Sequence, residues 1–293
     1  MIKHLLVSAL IILFLSSCSS REYDKLKISA TTWIGYTPIL YAKEKGWLEP
    51  YNIKILHVSS LAENMYLYKA GNADAYVGTQ YEYGQLIEGD KTLMPIMMFD
   101  RSFGGDLVMS NVSVDDLKNT SETIDAYLEM DSINLTVLED FLKQHQMDQK
   151  LISYHNNDQA GISNLNAAQL KKPAIIITYV PYDSQLKKQG FHEVASTKDG
   201  LDLLVVDALF TTQEQFYQHK EQFVALKGFV DKAILAVKND PKEFYETVKH
   251  YMLEIDYDEF LLSLNDIIWI NETLEPALQE RMKQGNFPTR DLL

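Results

Sequence analysis

Short apolar runs alternate along the chain with stretches whose apolar residues recur at helical spacing. Lys27–Thr31, Ile53–Val58 and Ala75–Gly78 read as strands, followed by the apolar run Leu93–Phe99. Helices are expected between them: one opening at Thr37-Pro38 and closed by Gly46, one over Leu61–Ala70 stopped by Gly71, and one over Tyr81–Ile87. Thr37 has the chemistry of an N-cap and Pro38 that of a first helical residue. This βαβαβ order predicts a parallel sheet covered by helices on both faces.

The polar, glycine-containing segment Asp100–Asp106 interrupts the pattern, and a second α/β set follows. Leu107–Ser110, Thr123–Tyr127, Leu151–Tyr154 and Ala174–Tyr179 read as strands, and Ile133–His145 and Ala160–Leu170 as helices. Leu203–Leu209 is a second apolar crossing. The remainder reads as helical: Gln213–His219, Glu221–Val237, Pro241–Leu253 behind an Asp240 N-cap, then further helices to about Lys283. No repeat, low-complexity tract or long linker divides the chain. The order predicts two α/β lobes with mixed or parallel sheets joined by two crossings, with residues 26–102 and 204–293 forming the first and 103–203 the second.

The chain has 293 residues, 46% of them hydrophobic, and a net charge of −14. That balance fits globular lobes and argues against nucleic acid as a partner, because phosphate binding needs a basic surface. The single cysteine excludes a disulfide framework and a cysteine-built zinc site. It stands at the end of a leader: Lys3 and His4, an apolar run from Leu5 to Leu15, then Ser16-Ser17-Cys18. Residues 1–17 read as a signal peptide, too short in its apolar part to span a bilayer as a helix. Leu15-Ser16-Ser17-Cys18 resembles the bacterial lipobox, which implies acylation of Cys18 and residues 18–25 as a lipidated tether; a plain secretory signal with an incidental cysteine is the alternative. Either way the protein is expected outside the cytoplasm, membrane-anchored if the lipobox holds.

Seventeen Tyr, 12 Phe and 3 Trp supply many ring faces, most of them core or ordinary surface. One group is placed differently. Thr32-Trp33-Ile34-Gly35-Tyr36-Thr37-Pro38 follows the first strand, where ligands of open α/β sheets bind beside helix N-termini. Gly35 would let the backbone approach a ligand, and Trp33 and Tyr36 could stack on it; a packed turn is the competing reading.

Trp-x-Gly-Tyr-x-Pro, followed by Tyr41-Ala42-x-Glu44-x-Gly46-Trp47-Leu48, resembles the opening of solute-binding proteins of the nitrate/sulfonate/taurine ABC-transporter family, which includes binders of thiamine pyrimidine precursors. Gly71-Asn72-Ala73-Asp74-Ala75, Asp100-x-Ser102-x-Gly104-Gly105-Asp106 and Tyr179-Val180-Pro181-Tyr182 continue the resemblance. It implies a type II periplasmic-binding fold that closes on a small-molecule ligand, works as a monomer and docks on an ABC permease. A ligand-sensing lipoprotein acting through a membrane receptor would need the same crevice. The ligand-binding residues it implies are Trp33, Gly35 and Tyr36 in the first loop; Gln80, Tyr81 and Glu82 where the third strand meets its helix; Asp100, Ser102 and Asp106 at the hinge; and Tyr179 and Tyr182 in the second lobe. For Asp106, capping of backbone N–H groups competes with ligand contact, and Arg101 is expected either to pair with Asp100 or Asp106 or to face an anion.

The departures from the family bear on the ligand. Where sulfonate and nitrate binders offer Ser/Thr and Gly at a helix start, this chain has Leu128-Glu129-Met130-Asp131-Ser132, with Asp131 or Ser132 as cap, and the next helix opens on Asn156-Asn157-Asp158. Val180 replaces the family's Glu. A neutral or cationic heterocycle or amine is therefore expected over an oxoanion. The seven histidines show no metal-ligand spacing, and no nucleophile elbow, P-loop or dinucleotide fingerprint is present, so no enzyme, cofactor or metal is expected. Calcium at Asp256, Asp258 and Glu259 is the weakest of the chemical readings.

Overall fold

A computed structural model describes residues 22–253 and 255–284 together with Phe287 and Leu293. The leader 1–17 and Cys18 lie outside the described residues. The first elements alternate as β1 (Leu26–Ala30), α1 (Thr37–Glu44), β2 (Ile53–His57), α2 (Leu61–Lys69), β3 (Ala75–Thr79), α3 (Gln80–Ile87) and β4 (Leu93–Ser102). A second set follows: β5 (Asp106–Ser110), α4 (Val114–Asn119), β6 (Ile124–Leu128), α5 (Ile133–Gln144), β7 (Ile152–Asn156), α6 (Gln159–Ile162), β8 (Ala174–Tyr179), α7 (Tyr182–Lys188) and β9 (His192–Ser196). The chain then returns through β10 (Val206–Thr212), α8 (Gln213–Gln218), α9 (Lys220–Asn239), α10 (Pro241–Val248), α11 (Tyr257–Leu264), β11 (Ile267–Trp269) and α12 (Pro276–Gln284).

Two sheets result, a six-stranded one in the order β11-β4-β10-β3-β1-β2 and a five-stranded one in the order β7-β6-β8-β5-β9. Both are mixed, in keeping with the expected pair of lobes with mixed or parallel sheets. β1 pairs in parallel with β2 and β3, but β10 enters from the other half and inserts antiparallel between β3 and β4. In the second sheet β5 runs antiparallel to both β8 and β9. The central strands β3, β5 and β8 are buried along their whole length, as strands covered on both faces must be.

Local chemistry moves several boundaries. Thr37 is not the cap of α1: a 3₁₀ turn over Ile34–Tyr36 precedes the helix, Tyr36 caps it, and the Thr37 hydroxyl donates to the Ile34 carbonyl at 2.6 Å. The helix expected over 160–170 stops at Ile162. Ser163 Oγ and Asn164 Nδ2 both donate to the Ala160 carbonyl, at 2.9 and 2.8 Å, drawing off an acceptor the next turn would need. Strand β4 runs on through Asp100 to Ser102 because β11 pairs with that end, leaving only Phe103–Gly105 as the irregular link. Gly104 there has φ +117°, a conformation suited to glycine. Among the described residues no helix is long and apolar enough to cross a membrane.

Candidate functional site

The two sheets face each other across a crevice. From the first come Thr31, Trp33 and Tyr36 after β1, Thr79 at the end of β3, and Val205 and Asp207 at the start of β10. From the second come Asp106 at the start of β5 and Tyr179 at the end of β8. The first residues of two helices, Leu61 of α2 and Ile133 of α5, complete the wall. Only about 10 Å³ of space remains between them, room for about one water molecule. The crevice is closed on itself, with the Trp33 ring edge-on against Tyr179 at 5.9 Å.

Five carboxylates crowd this region: Glu82, Asp100, Asp106, Glu129 and Asp207, each at most 3% exposed. Among the described residues lining the crevice there is no Lys, Arg or His. Glu82, Asp100, Glu129 and Asp207 each have one oxygen or both engaged. Trp33 Nε1 donates to Asp100 Oδ1 at 3.1 Å, and the Tyr36 hydroxyl donates to Asp207 Oδ1. Among the described residues the Oδ2 atoms of Asp100, Asp106 and Asp207 and the Tyr179 hydroxyl have no hydrogen-bond partner. Burial pushes the Asp106 carboxyl up to about 7 and that of Glu129 up to about 8. It also holds Asp100 and Asp207 well above the usual carboxylate range, Asp207 further raised by the neighbouring Asp100 charge.

Two of the five carboxylates bind helix starts across the crevice. Glu82 closes a capping box on its own helix, its Oε2 accepting from Thr79 N at 2.8 Å and Thr79 Oγ1 at 2.6 Å. Its Oε1 accepts from Ile133 N at 3.2 Å, the first residue of α5. Glu129 reciprocates, Oε2 accepting from Leu61 N of α2 at 3.1 Å and Oε1 from Gln159 N at 3.2 Å. Ser132, rather than Asp131, caps α5, and Asp131 accepts the Tyr66 hydroxyl. The amides that could hold an oxoanion are thus occupied by side chains of the protein itself.

Of the residues expected from sequence, Trp33, Tyr36, Asp106 and Tyr179 line the crevice. Asp100 and Gly35 lie behind them in a single arrangement: a Cβ on Gly35 would fall 1.9 Å from Asp100 Oδ2, so the glycine makes room for the carboxylate. Glu82 acts through the Ile133 amide. Ser102 accepts from Asp106 N at 2.9 Å and bonds Thr197 Oγ1 at 2.7 Å, fastening the link between the sheets. Gln80 bonds Leu204 O and accepts from Val206 N at 3.1 Å, holding the returning crossing. Tyr81 lines a separate, larger cavity, and Tyr182 is buried edge-on to Tyr179 at 5.3 Å. Arg101 does neither thing expected of it; its guanidinium lies over the Phe103 ring at 5.2 Å.

Asp207, Thr31, Thr79 and Val205 were not foreseen. A lone aspartate inside the run Val205–Leu209 was the available signal, since an unpaired carboxylate in a buried strand is rare. The calcium reading fails on geometry: Asp256 and Glu259 cap α11 reciprocally, and Glu259 also pairs with Lys188 at 2.8 Å. Among the described residues no group of three or more His, Cys, Asp or Glu side chains is placed to hold a metal ion.

No family model and no curated protein matches the chain. Solved structures do. The periplasmic aliphatic sulphonate binding protein from Escherichia coli superposes with a TM-score of 0.69 at 12% identity, covering 90% of this chain and 91% of that one. The alkanesulfonate-binding protein from Xanthomonas axonopodis pv. citri, bound to MOPS, gives 0.69 at 14% identity over 93% and 97%. A ligand binding component of an ABC-type import system from Staphylococcus aureus, with zinc bound, gives 0.68 at 16% over 90% and 92%. The chain has the type II periplasmic-binding-protein fold.

Proposed function

We propose that this chain is the solute-binding component of an ABC import system, capturing a small organic molecule between its two lobes. The first lobe comprises 26–102 and 204–293 and the second 103–203. Cys18 carries the lipid anchor, 18–25 form the tether, and the protein works outside the cytoplasm as a monomer. Binding is its role, without catalysis.

The observation that carries this reading is the crevice itself. Rings and buried polar atoms from both sheets converge on it, and residues from both sides close it. Trp33, Tyr36, Asp106 and Tyr179 meet the solute directly, while Gly35, Gln80, Tyr81, Glu82, Asp100, Ser102 and Tyr182 shape or close the site. A flat ring slipped between Trp33 and Tyr179 would gain stacking. The acidic lining favours a neutral or cationic heterocycle or amine over sulfonate or nitrate. A thermal-shift panel of pyrimidines, amines, sulfonates and nitrate tests this, since a ligand at 100 times its Kd stabilises by about 2.7 kcal/mol. Stabilisation by taurine or nitrate alone would refute the ligand class, and a panel without any stabilising solute would count against solute capture.

A further inference from the structure

We propose that the crevice selects a solute carrying a protonated nitrogen with at least two N–H groups, seated on the unpartnered Oδ2 atoms of Asp106 and Asp207 and on the Tyr179 hydroxyl. This rests on the solute-binding reading and narrows it. Asp106, Asp207 and Tyr179 are each at most 3% exposed, line the crevice and come from three different strands, β5, β10 and β8. An unpaired buried polar atom is costly; the two carboxyl oxygens call for a ligand that donates, and the Tyr179 hydroxyl can accept from it as well. Asp100 adds a further unpartnered Oδ2 beneath Gly35.

The charge follows from the surroundings. Facing this point are Tyr36 after β1, Glu82 on α3, Asp100 on β4, Glu129 after β6 and Tyr179 on β8. The helix starts at Leu61 and Ile133 contribute amides already bound by Glu129 and Glu82. The balancing positive charge must come with the solute or as protons on the carboxyls. Neutral carboxyls in the closed crevice fit the upward shifts of Asp106, to about 7, and of Asp207. A cation entering at neutral pH therefore displaces protons into solvent, and its N–H groups form charge-assisted bonds in their place. A quaternary ammonium matches the charge but cannot donate; an alcohol donates but leaves the carboxylates uncompensated.

Calorimetric titration of the full chain with benzylamine, benzyltrimethylammonium, benzyl alcohol and benzenesulfonate separates these cases. Each is run at pH 6.5 in two buffers of different ionisation enthalpy. Benzylamine should bind at least tenfold tighter than the other three and release protons, on the order of one per molecule bound. Asp207→Asn should keep its cooperative unfolding, lose at least tenfold in benzylamine affinity and release fewer protons. Tighter binding of the alcohol, the quaternary amine or the sulfonate would overturn the inference while leaving solute capture standing. Unchanged benzylamine affinity in Asp207→Asn, or binding of none of the four, would overturn it as well; solute capture keeps its separate test in the broader panel.

Discussion

The Glu129 carboxylate, on the half built from the five-stranded sheet, holds the first amide of α2 on the other half, with Oε2 3.1 Å from Leu61 N. Glu82 returns the contact in the opposite direction at Ile133 N, 3.2 Å away. The closed state is therefore pinned by the protein's own carboxylates at the helix starts. Hydrogen bonds of this kind contribute about 0.5–1.5 kcal/mol each. Glu129→Ala should loosen closure, and small-angle scattering of the unliganded protein should report a larger radius of gyration than wild type. An unchanged radius would show that Glu129 does not hold the halves together.

The same carboxyl gives a pH dependence of definite sign. Its folded value of about 8 lies above the ordinary glutamate value of 4.5, so the folded state holds the extra proton between them. The resulting stability is fully present below about pH 4.5 and is lost as pH rises through about 8. Asp106 acts alike between 3.8 and about 7. His57 and His145 oppose the trend, since burial lowers both below 6.5. Comparing Glu129→Gln with wild type removes those shared contributions. Chemical denaturation from pH 5 to 8 should show wild type losing stability relative to Glu129→Gln as pH rises; parallel curves would contradict the assignment.

Gly35 is required by its neighbour. A methyl there would lie 1.9 Å from Asp100 Oδ2 and 2.5 Å from Trp33 Nε1. Gly35→Ala should cost roughly 1–3 kcal/mol in urea unfolding, as overpacking does. Adding Asp100→Ala should recover part of that loss, and strict additivity of the two would argue against the contact.

Much of this fold was legible in the chain. The short β-like segments of β1 and β3, the Pro38 helix start and Gly46, at φ +69°, announce themselves by local chemistry. Strands β9 and β11 did not, because His192–Ser196 has an exposed edge and Ile267–Trp269 is only three residues long. In the crevice, Trp33, Tyr36, Asp106 and Tyr179 could be found from motifs. Asp207 could not, hidden in an apolar run, although Tyr36 meets it 171 residues away. Glu82 and Glu129 were legible as charges, but their effect depends on which helix start folding brings to them. That pairing is tertiary.

Tyr36 and Asp207 should behave as a coupled pair. Tyr36→Phe removes the hydroxyl that donates to Asp207 and should cost about 1–3 kcal/mol, the penalty for stranding a buried polar group. In an Asp207→Ala background the same change should cost less, because no acceptor is left stranded. A double-mutant cycle by thermal unfolding measures the difference, and equal costs in both backgrounds would remove the coupling.

Native mass spectrometry reads the central claim, solute capture in an acidic aromatic crevice, most directly. The full chain is offered an equimolar mixture of 4-aminopyrimidine, benzylamine, taurine and nitrate. The account predicts that wild type retains one of the two nitrogen bases in a one-to-one complex, and that Trp33→Ala retains neither. Retention of taurine or nitrate by wild type, or undiminished retention of the base by Trp33→Ala, would contradict it.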